Sequence, residues 1–306
     1  MQIRVLGSAA GGGFPQWNCG CANCSGLRAG TLRARPRTQE SIAFSADGER
    51  WFLINASPEI RAQIESFPPL WPRAKRHSPV SGILLTNGDL DHCLGLLSLR
   101  ESHPISVYAT ASVRSGFAEG NTVYRTLQRF PDQVRWCALP LARETPLVDP
   151  EDGAETGLFA TALAIPGKLP LHLEQLRAPS AEDNVGLRIR DARSGGSLAY
   201  LPAVAGPSRA VLDALAGADC VFFDGTFWSS DELIAAGLGT RRAEDMAHWP
   251  VGGADGSLAL LAKRAGRRIL IHVNNTNPLL REDGPEHAAA DAAGVEIAHD
   301  GQELEL

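Results

Sequence analysis

Ile83-Leu84-Leu85-Thr86-Asn87-Gly88-Asp89-Leu90-Asp91-His92, with Leu94-Gly95-Leu96-Leu97 directly after it, is the stretch on which the reading of this chain turns. The first apolar run predicts a buried strand over Gly82–Thr86, and the second predicts a helix over Leu94–Leu99. Between them Asp89, Asp91 and His92 bring two carboxylates and an imidazole to a strand end. Such donors suit Fe(II), Mn(II) or Zn(II), and carboxylate in place of imidazole shifts the preference toward harder ions. Surface turn acids beside one core-facing histidine would use the same residues without a metal.

Two other apolar runs end alike. Val221-Phe222-Phe223 finishes in Asp224, and Ile269-Leu270-Ile271 finishes in His272, with Asn274-Asn275-Thr276-Asn277-Pro278 behind it. Three strand ends, each carrying a potential ligand, predict a site at one edge of a sheet assembly. His248, in the turn-rich stretch 246–253, is a third imidazole, a substrate contact or a structural hydrogen-bonding group. Lys168, after Ile165-Pro166-Gly167, is a surface lysine or projects into the same cleft.

Three of the six cysteines fall together as Cys19-Gly20-Cys21-Ala22-Asn23-Cys24. Short C-x-C and C-x-x-C arcs let a chain wrap one ion, and tetrahedral Zn²⁺ would need a fourth ligand from elsewhere. Three anionic ligands leave zinc little Lewis acidity, so this site is expected to be structural. A tight thiol cluster with no spaced partners reads as a reducing cytoplasm rather than a disulfide framework. The glycines of Leu6-Gly7-Ser8-Ala9-Ala10-Gly11-Gly12-Gly13 miss the dinucleotide spacing, and they predict a backbone passing close to another element.

A hydrophobic content of 44% and a charged content of 21% are those of an ordinary globular chain. No run approaches the roughly 18 apolar residues of a membrane span. The formal charge of −6 and the absence of a basic stripe argue against nucleic acid. The length of 306 residues allows one or two cores, and we read residues 1–306 as a single domain. Strands are predicted at Ile3–Leu6, Ser41–Phe44, Trp51–Ile54, Ser106–Ala109, Phe159–Ile165, Val185–Ile189, Ser197–Leu201, Cys220–Phe223, Arg268–His272 and Val295–Ile297, interleaved with helices. Asp47-Gly48 predicts a hairpin between two of them. Hairpins mixed with strand–helix alternation predict a layered α/β architecture: an αββα sandwich of two mixed β-sheets flanked by helices. Pro68–Pro79 and Pro140–Gly157 read as surface loops, the second as a lid or insertion.

These segments together resemble the PqqB family of pyrroloquinoline quinone (PQQ) biosynthesis proteins, within the metallo-β-lactamase superfamily. The resemblance runs the full length and is carried by residues 6–24, 31–43, 55–64, 86–92, 224–228, 246–253 and 272–278. Against the superfamily loop His-x-His-x-Asp-His, this chain has Asn87 and Asp89 at the leading histidine positions and keeps Asp91-His92. The Pro-Gly-His motif becomes Pro166-Gly167-Lys168, and the bridging-aspartate strand corresponds to Ala199–Ala203, without an acid. Dinuclear hydrolysis needs that bridge and more imidazoles. What remains, His92, His272 and Asp91, matches the facial triad of non-haem Fe(II) oxygenases, with Asp89 or Asp224 as substitute ligands, orienting groups or proton acceptors.

The resemblance implies a role in assembling the quinone from a Glu–Tyr precursor. One reading is a catalytic Fe²⁺ centre that hydroxylates the tyrosine ring with O₂, with Lys168 or an arginine holding carboxylates. The other is a carrier for PQQ or its intermediates on a decayed hydrolase scaffold. Related phosphodiesterases close a similar thiol loop with a histidine three residues after the final-motif histidine. Here that position is Asn275, so the fourth zinc ligand is Asn275, His272 or water. A homodimer is compatible with all of this.

Overall fold

The hairpin at Asp47-Gly48 is built by its own side chains. The Asp47 carboxylate accepts from the backbone N–H groups of Glu49 and Arg50, both at 2.9 Å. Gly48 has φ 75°, a left-handed conformation that glycine adopts without a Cβ penalty. The flanking strands pair antiparallel, with Phe44 opposite Phe52 and Ile42 opposite Ile54. The computed structural model describes all 306 residues. Fourteen strands form: β1 Gln2–Gly7, β2 Ser41–Ser45, β3 Trp51–Ile54, β4 Val80–Leu84, β5 Ile105–Ala109, β6 Val134–Ala138, β7 Glu144–Val148, β8 Glu155–Ala164, β9 Val185–Asp191, β10 Ser197–Leu201, β11 Cys220–Asp224, β12 Arg267–Ile271, β13 Glu296–Ile297 and β14 Glu303–Glu305.

They make two seven-stranded mixed sheets, ordered β14-β1-β2-β3-β4-β5-β6 and β13-β12-β11-β10-β9-β8-β7. In the first, β3 to β6 run parallel. In the second, β10 to β13 do. Continuous apolar strands such as Trp51-Phe52-Leu53-Ile54 are explained by cover on both faces. Phe52 and Ile54 enter the core between the sheets, while Trp51 and Leu53 pack under the outer helices of the first sheet. In β11, Cys220 and Phe222 face the central core, and Val221 and Phe223 face the helices of the second sheet. Helices outside, two sheets inside and one shared core give the αββα sandwich that the sequence pattern predicts.

Two predictions need correction. Pro140–Gly157 is not a lid: it carries β7 and the start of β8, an antiparallel pair at the edge of the second sheet, with an irregularity between Pro146 and Val148. Pro146 fits there because an edge strand tolerates a missing N–H donor. The segment at Leu94–Ser98 is 3-10 rather than α-helical. No helix is long and apolar enough to cross a membrane.

The parallel strands of both sheets aim their C-terminal ends at one edge, where the sheets are stitched together. Val185 N donates to Thr86 O at 2.9 Å, and Ala10 N donates to Val273 O at 3.0 Å. That edge gathers the residues following β3, β4, β10, β11 and β12.

Candidate metal centre

After β4, the Asn87 side chain accepts from Asp89 N at 2.9 Å and so turns the chain into the short helix Leu90–Cys93. This turn seats on the loop after β3: Ala56 N donates to His92 O (2.7 Å) and Gly95 N donates to Ala56 O (2.9 Å). A Cβ on Gly95 would lie 2.1 Å from Ser57 O, so only glycine allows the approach. At the end of β12, His272 adopts φ 61°, a left-handed conformation uncommon for a non-glycine residue. It turns the imidazole toward the other sheet.

The three donors converge. His92 Nε2 and His272 Nε2 are 3.2 Å apart, His272 Nε2 is 3.2 Å from Asp91 Oδ2, and His92 Nε2 is 3.6 Å from it. Ligands about 2.1 Å from one ion stand about 3.0 Å apart at right angles and about 3.4 Å apart in a tetrahedron. These spacings therefore fit a single ion. Two imidazole nitrogens facing one another can share at most one proton, whereas a cation satisfies both lone pairs.

Each imidazole is oriented through a threonine hydroxyl. With Nε2 as the ligand atom, His92 Nδ1–H donates to Thr86 Oγ1 (2.9 Å), and Thr86 donates onward to Asn55 Oδ1 (3.1 Å). The Asn55 amide nitrogen in turn donates to the buried Glu40 carboxylate at 2.9 and 3.1 Å, which Tyr200 OH also donates to. On the other side, His272 Nδ1–H donates to Thr226 Oγ1 (2.7 Å), and Thr226 donates to Asp224 Oδ1 (2.6 Å). Partners of this kind fix ring tautomer and raise ligand basicity. Burial drives His92 down to about 4, so it is a neutral imidazole near pH 7. Burial would raise Asp91, but the charges of His92 and His272 and the hydrogen bond from His272 hold it well below the usual carboxylate range. For His272, burial acts downward, and the hydrogen bond and charge of Asp91, with the charges of Asp224 and Glu40, outweigh it. Burial pushes Glu40 up to about 8.

Asp224, His248 and His272 also have donor atoms within 4.8 Å of one another. His248 Nδ1 lies 2.7 Å from Asp224 Oδ2. That is hydrogen-bond length, shorter than the roughly 3 Å between two ligands of one ion. The remaining capacity of Asp224 goes to Val204 N (2.8 Å) and Thr226 N (3.0 Å). The structure thus places Asp224 against His248 and Thr226, where its carboxylate orients both. The His248 ring stacks on His272, with centroids 5.4 Å apart.

A cavity of about 400 Å³ opens over the triad, and Asp89, Lys168, Ala203, His248 and Asn274 are among its lining residues. Asp89 lies beside the triad rather than in it. Lys168 and Ala203 stand where the second-metal motifs of the sequence pattern fall. Gly11 forms part of the wall, and a Cβ there would be 3.2 Å from Asp91 Oδ2. The glycine loop is therefore a close backbone approach, as its spacing predicts.

Cys19, Cys21 and Cys24 bring their sulfurs within 4.8 Å of one another. The Asn275 side-chain amide caps them, with Nδ2 at 3.1, 3.7 and 3.4 Å from the three sulfurs in that order. An oxygen and a sulfur bound to one tetrahedral zinc stand about 3.6 Å apart, and the amide oxygen and nitrogen exchange by a half-turn of the group. The Asn275 side chain thus lies over the open side of the three sulfurs. His272, the other protein candidate for the fourth corner, faces the triad instead. None of the six cysteines is in a disulfide.

Sequence reasoning assigned no role to Glu40, Asn55, Thr86 or Thr226. Glu40 and Asn55 lie within the very segments that carry the family resemblance, which was the available signal.

A sandwich of two mixed sheets with a metal-ligand edge defines the metallo-β-lactamase fold, and the family described as "Beta-lactamase superfamily domain" matches residues 50–273. "Coenzyme PQQ synthesis protein B" of Azotobacter vinelandii is 45% identical over the whole of both chains. The protein of the same name from Stutzerimonas stutzeri is 44% identical, again over the whole of both. The chain belongs to the PqqB family of PQQ biosynthesis proteins. The crystal structure of Zn(2+)-bound PqqB from Methylobacterium extorquens superposes with a TM-score of 0.92 at 44% identity, covering both chains fully. A diphosphatase of the PhnP family, 21% identical with a TM-score of 0.67 over 100% of this chain and 97% of its own, shares the fold.

Proposed function

We propose that this chain acts in PQQ assembly as a non-haem iron-dependent oxygenase that hydroxylates the tyrosine ring of a Glu–Tyr precursor. The observation that carries this reading is the compact donor set of His92 Nε2, His272 Nε2 and Asp91 Oδ2, spaced at 3.2 to 3.6 Å. Two imidazoles and one carboxylate are the facial triad of Fe(II) oxygenases. Lys168 and Ala203, across the cavity, offer no donors for a bridged second ion, which weighs against hydrolysis.

Bound Fe(II) would supply activation of O₂, with coordination positions left open for O₂ and substrate. The protein's own groups orient and move protons. Thr86 and Thr226 hold both ligand imidazoles in the tautomer that presents Nε2. Asp224 holds His248 Nδ1–H, which leaves Nε2 as that ring's free acceptor for a phenolic proton. In the net reaction, one atom of O₂ replaces a ring hydrogen as hydroxyl. The other leaves as water, balanced by two electrons from a reductant in solution and two protons from solvent.

A separate structural Zn²⁺ is proposed at Cys19, Cys21, Cys24 and Asn275, supported by the fit of that pocket and by the Zn(2+)-bound state of the Methylobacterium PqqB crystal structure. The deciding experiment is anaerobic loading with Fe(II), followed by O₂, reductant and Glu–Tyr dipeptide. The expected result is a mass gain of one oxygen atom that His92→Ala abolishes. No gain, with tight binding of the quinone instead, would replace the oxygenase by a carrier.

A further inference from the structure

Two charged groups of the cavity have no partner in the chain. Lys168 makes no side-chain hydrogen bond or ion pair, and the Asp89 carboxylate accepts none; only the Asp89 backbone is engaged, its N–H by Asn87 and its carbonyl by the His92 and Cys93 N–H groups. The other charged and imidazole groups there are tied: Asp91 to His272, His92 to Thr86, His248 to Asp224. Both unpartnered groups are half-buried and line one cavity of about 400 Å³. Both line the same cavity, yet no ion pair joins them.

Opposite charges in a partly desolvated cavity attract strongly, so something must hold these apart. Asn184 does so. Its amide nitrogen donates to Ala203 O (3.0 Å) and Ile165 O (3.3 Å), which fixes it to the second sheet. Gly167 packs on it so closely that a Cβ would lie 2.5 Å from Asn184 Nδ2, which sets the position of the adjoining Lys168. On its other side, Asn184 Oδ1 accepts from Asn87 Nδ2 (3.4 Å), and Asn87 sets Asp89. One asparagine therefore spaces an anion from a cation.

We infer that Asp89 and Lys168 form a zwitterion slot, taking the free α-ammonium and the free α-carboxylate of an aromatic amino acid or dipeptide. The slot rests on the proposed function only for its orientation, with the aromatic ring toward His92, His272 and Asp91. Asp89 suits the ammonium because it accepts without donating, and Lys168 suits the carboxylate because it donates without accepting.

The test is calorimetric binding to the metal-loaded protein without oxygen, using Glu–Tyr dipeptide, its N-acetyl derivative and its C-terminal amide. Losing one charge-assisted hydrogen bond weakens binding by about tenfold or more. The native protein is expected to show that penalty for each blocked end. Asp89→Asn should erase the penalty for acetylation and keep that for amidation; Lys168→Met should do the reverse, and Lys168→Arg should retain both. Equal affinity of the native protein for all three ligands, or a variant that erases both penalties together, overturns the slot. Because the readout needs no turnover, intact preferences without oxygen insertion would sink the oxygenase and leave the slot standing.

Discussion

Asn55→Ala is the substitution for which the structure sets the most demanding expectation. Asn55 is wholly buried, with φ 62°. Its Oδ1 accepts from Thr86 N at 3.0 Å, and its Nδ2 donates to Glu40 Oε2 at 2.9 Å. Glu40 Oε1 keeps Tyr200 and His92 keeps Thr86, so truncation leaves two fixed orphans, the Thr86 N–H and one carboxylate oxygen, beside a Thr86 hydroxyl that can rotate to a new acceptor. Each buried orphan costs about 1–3 kcal/mol, and alanine in a left-handed conformation adds about 1 kcal/mol. The expected loss is about 3–7 kcal/mol, a large share of the stability of a typical domain. Asn55→Gly loses the same hydrogen bonds without the backbone term, so it should be about 1 kcal/mol more stable than the alanine variant. Urea unfolding of the three proteins at fixed metal content measures both differences through the midpoint and slope. An alanine variant within about 1 kcal/mol of the native protein, or a glycine variant no better than alanine, would refute the account.

Thr226→Val keeps the shape but breaks the link between His272 and Asp224, and it should weaken metal binding at the triad about 10–100-fold. Titration with Co(II) as a spectroscopic probe reads this, and unchanged affinity would strip Thr226 of its orienting role. Asn275→Ala should release zinc to a competing chelator at roughly tenfold lower chelator concentration, and stripping the native protein of zinc should lower its melting temperature. Equal zinc retention would move the fourth ligand elsewhere. Burial raises the Glu232 carboxyl from 4.5 to about 7, although Thr276 and Trp228 N donate to it. The folded state therefore holds a proton that the unfolded chain releases between about pH 4.5 and 7. Stability falls as pH rises through that window, by about 3 kcal/mol in total. Glu232→Gln should flatten that fall in the stability–pH profile, and a slope unchanged by it would assign the dependence to other groups.

Strands covered on both faces were legible because their apolar runs are continuous: Trp51–Ile54, Val80–Leu84 and Cys220–Asp224 all emerge at or near the predicted positions. The strands missed lie at sheet edges. Val134–Ala138 is only partly buried, Glu144–Val148 contains Pro146, and Glu303–Glu305 shows one buried residue between two exposed acids. None of these builds a readable apolar pattern, because edge strands are fixed by pairing rather than by burial. The candidate site divides along the same line. Asp91, His92 and His272 were readable as polar residues closing buried strands. Asn55 and Thr226 act through hydrogen bonds to residues 31 and 46 positions away, which no local pattern encodes.

His272 and Asn275 sit three positions apart, one turned toward the imidazole–carboxylate cluster and the other toward the thiols. A span of three residues reaches at most about 10 Å, so it has no slack to absorb an insertion or a deletion. Descent with modification must therefore treat the two clusters as one heritable unit. Removal of the thiols would free the Asn275 side chain and take away one anchor of the turn that carries His272.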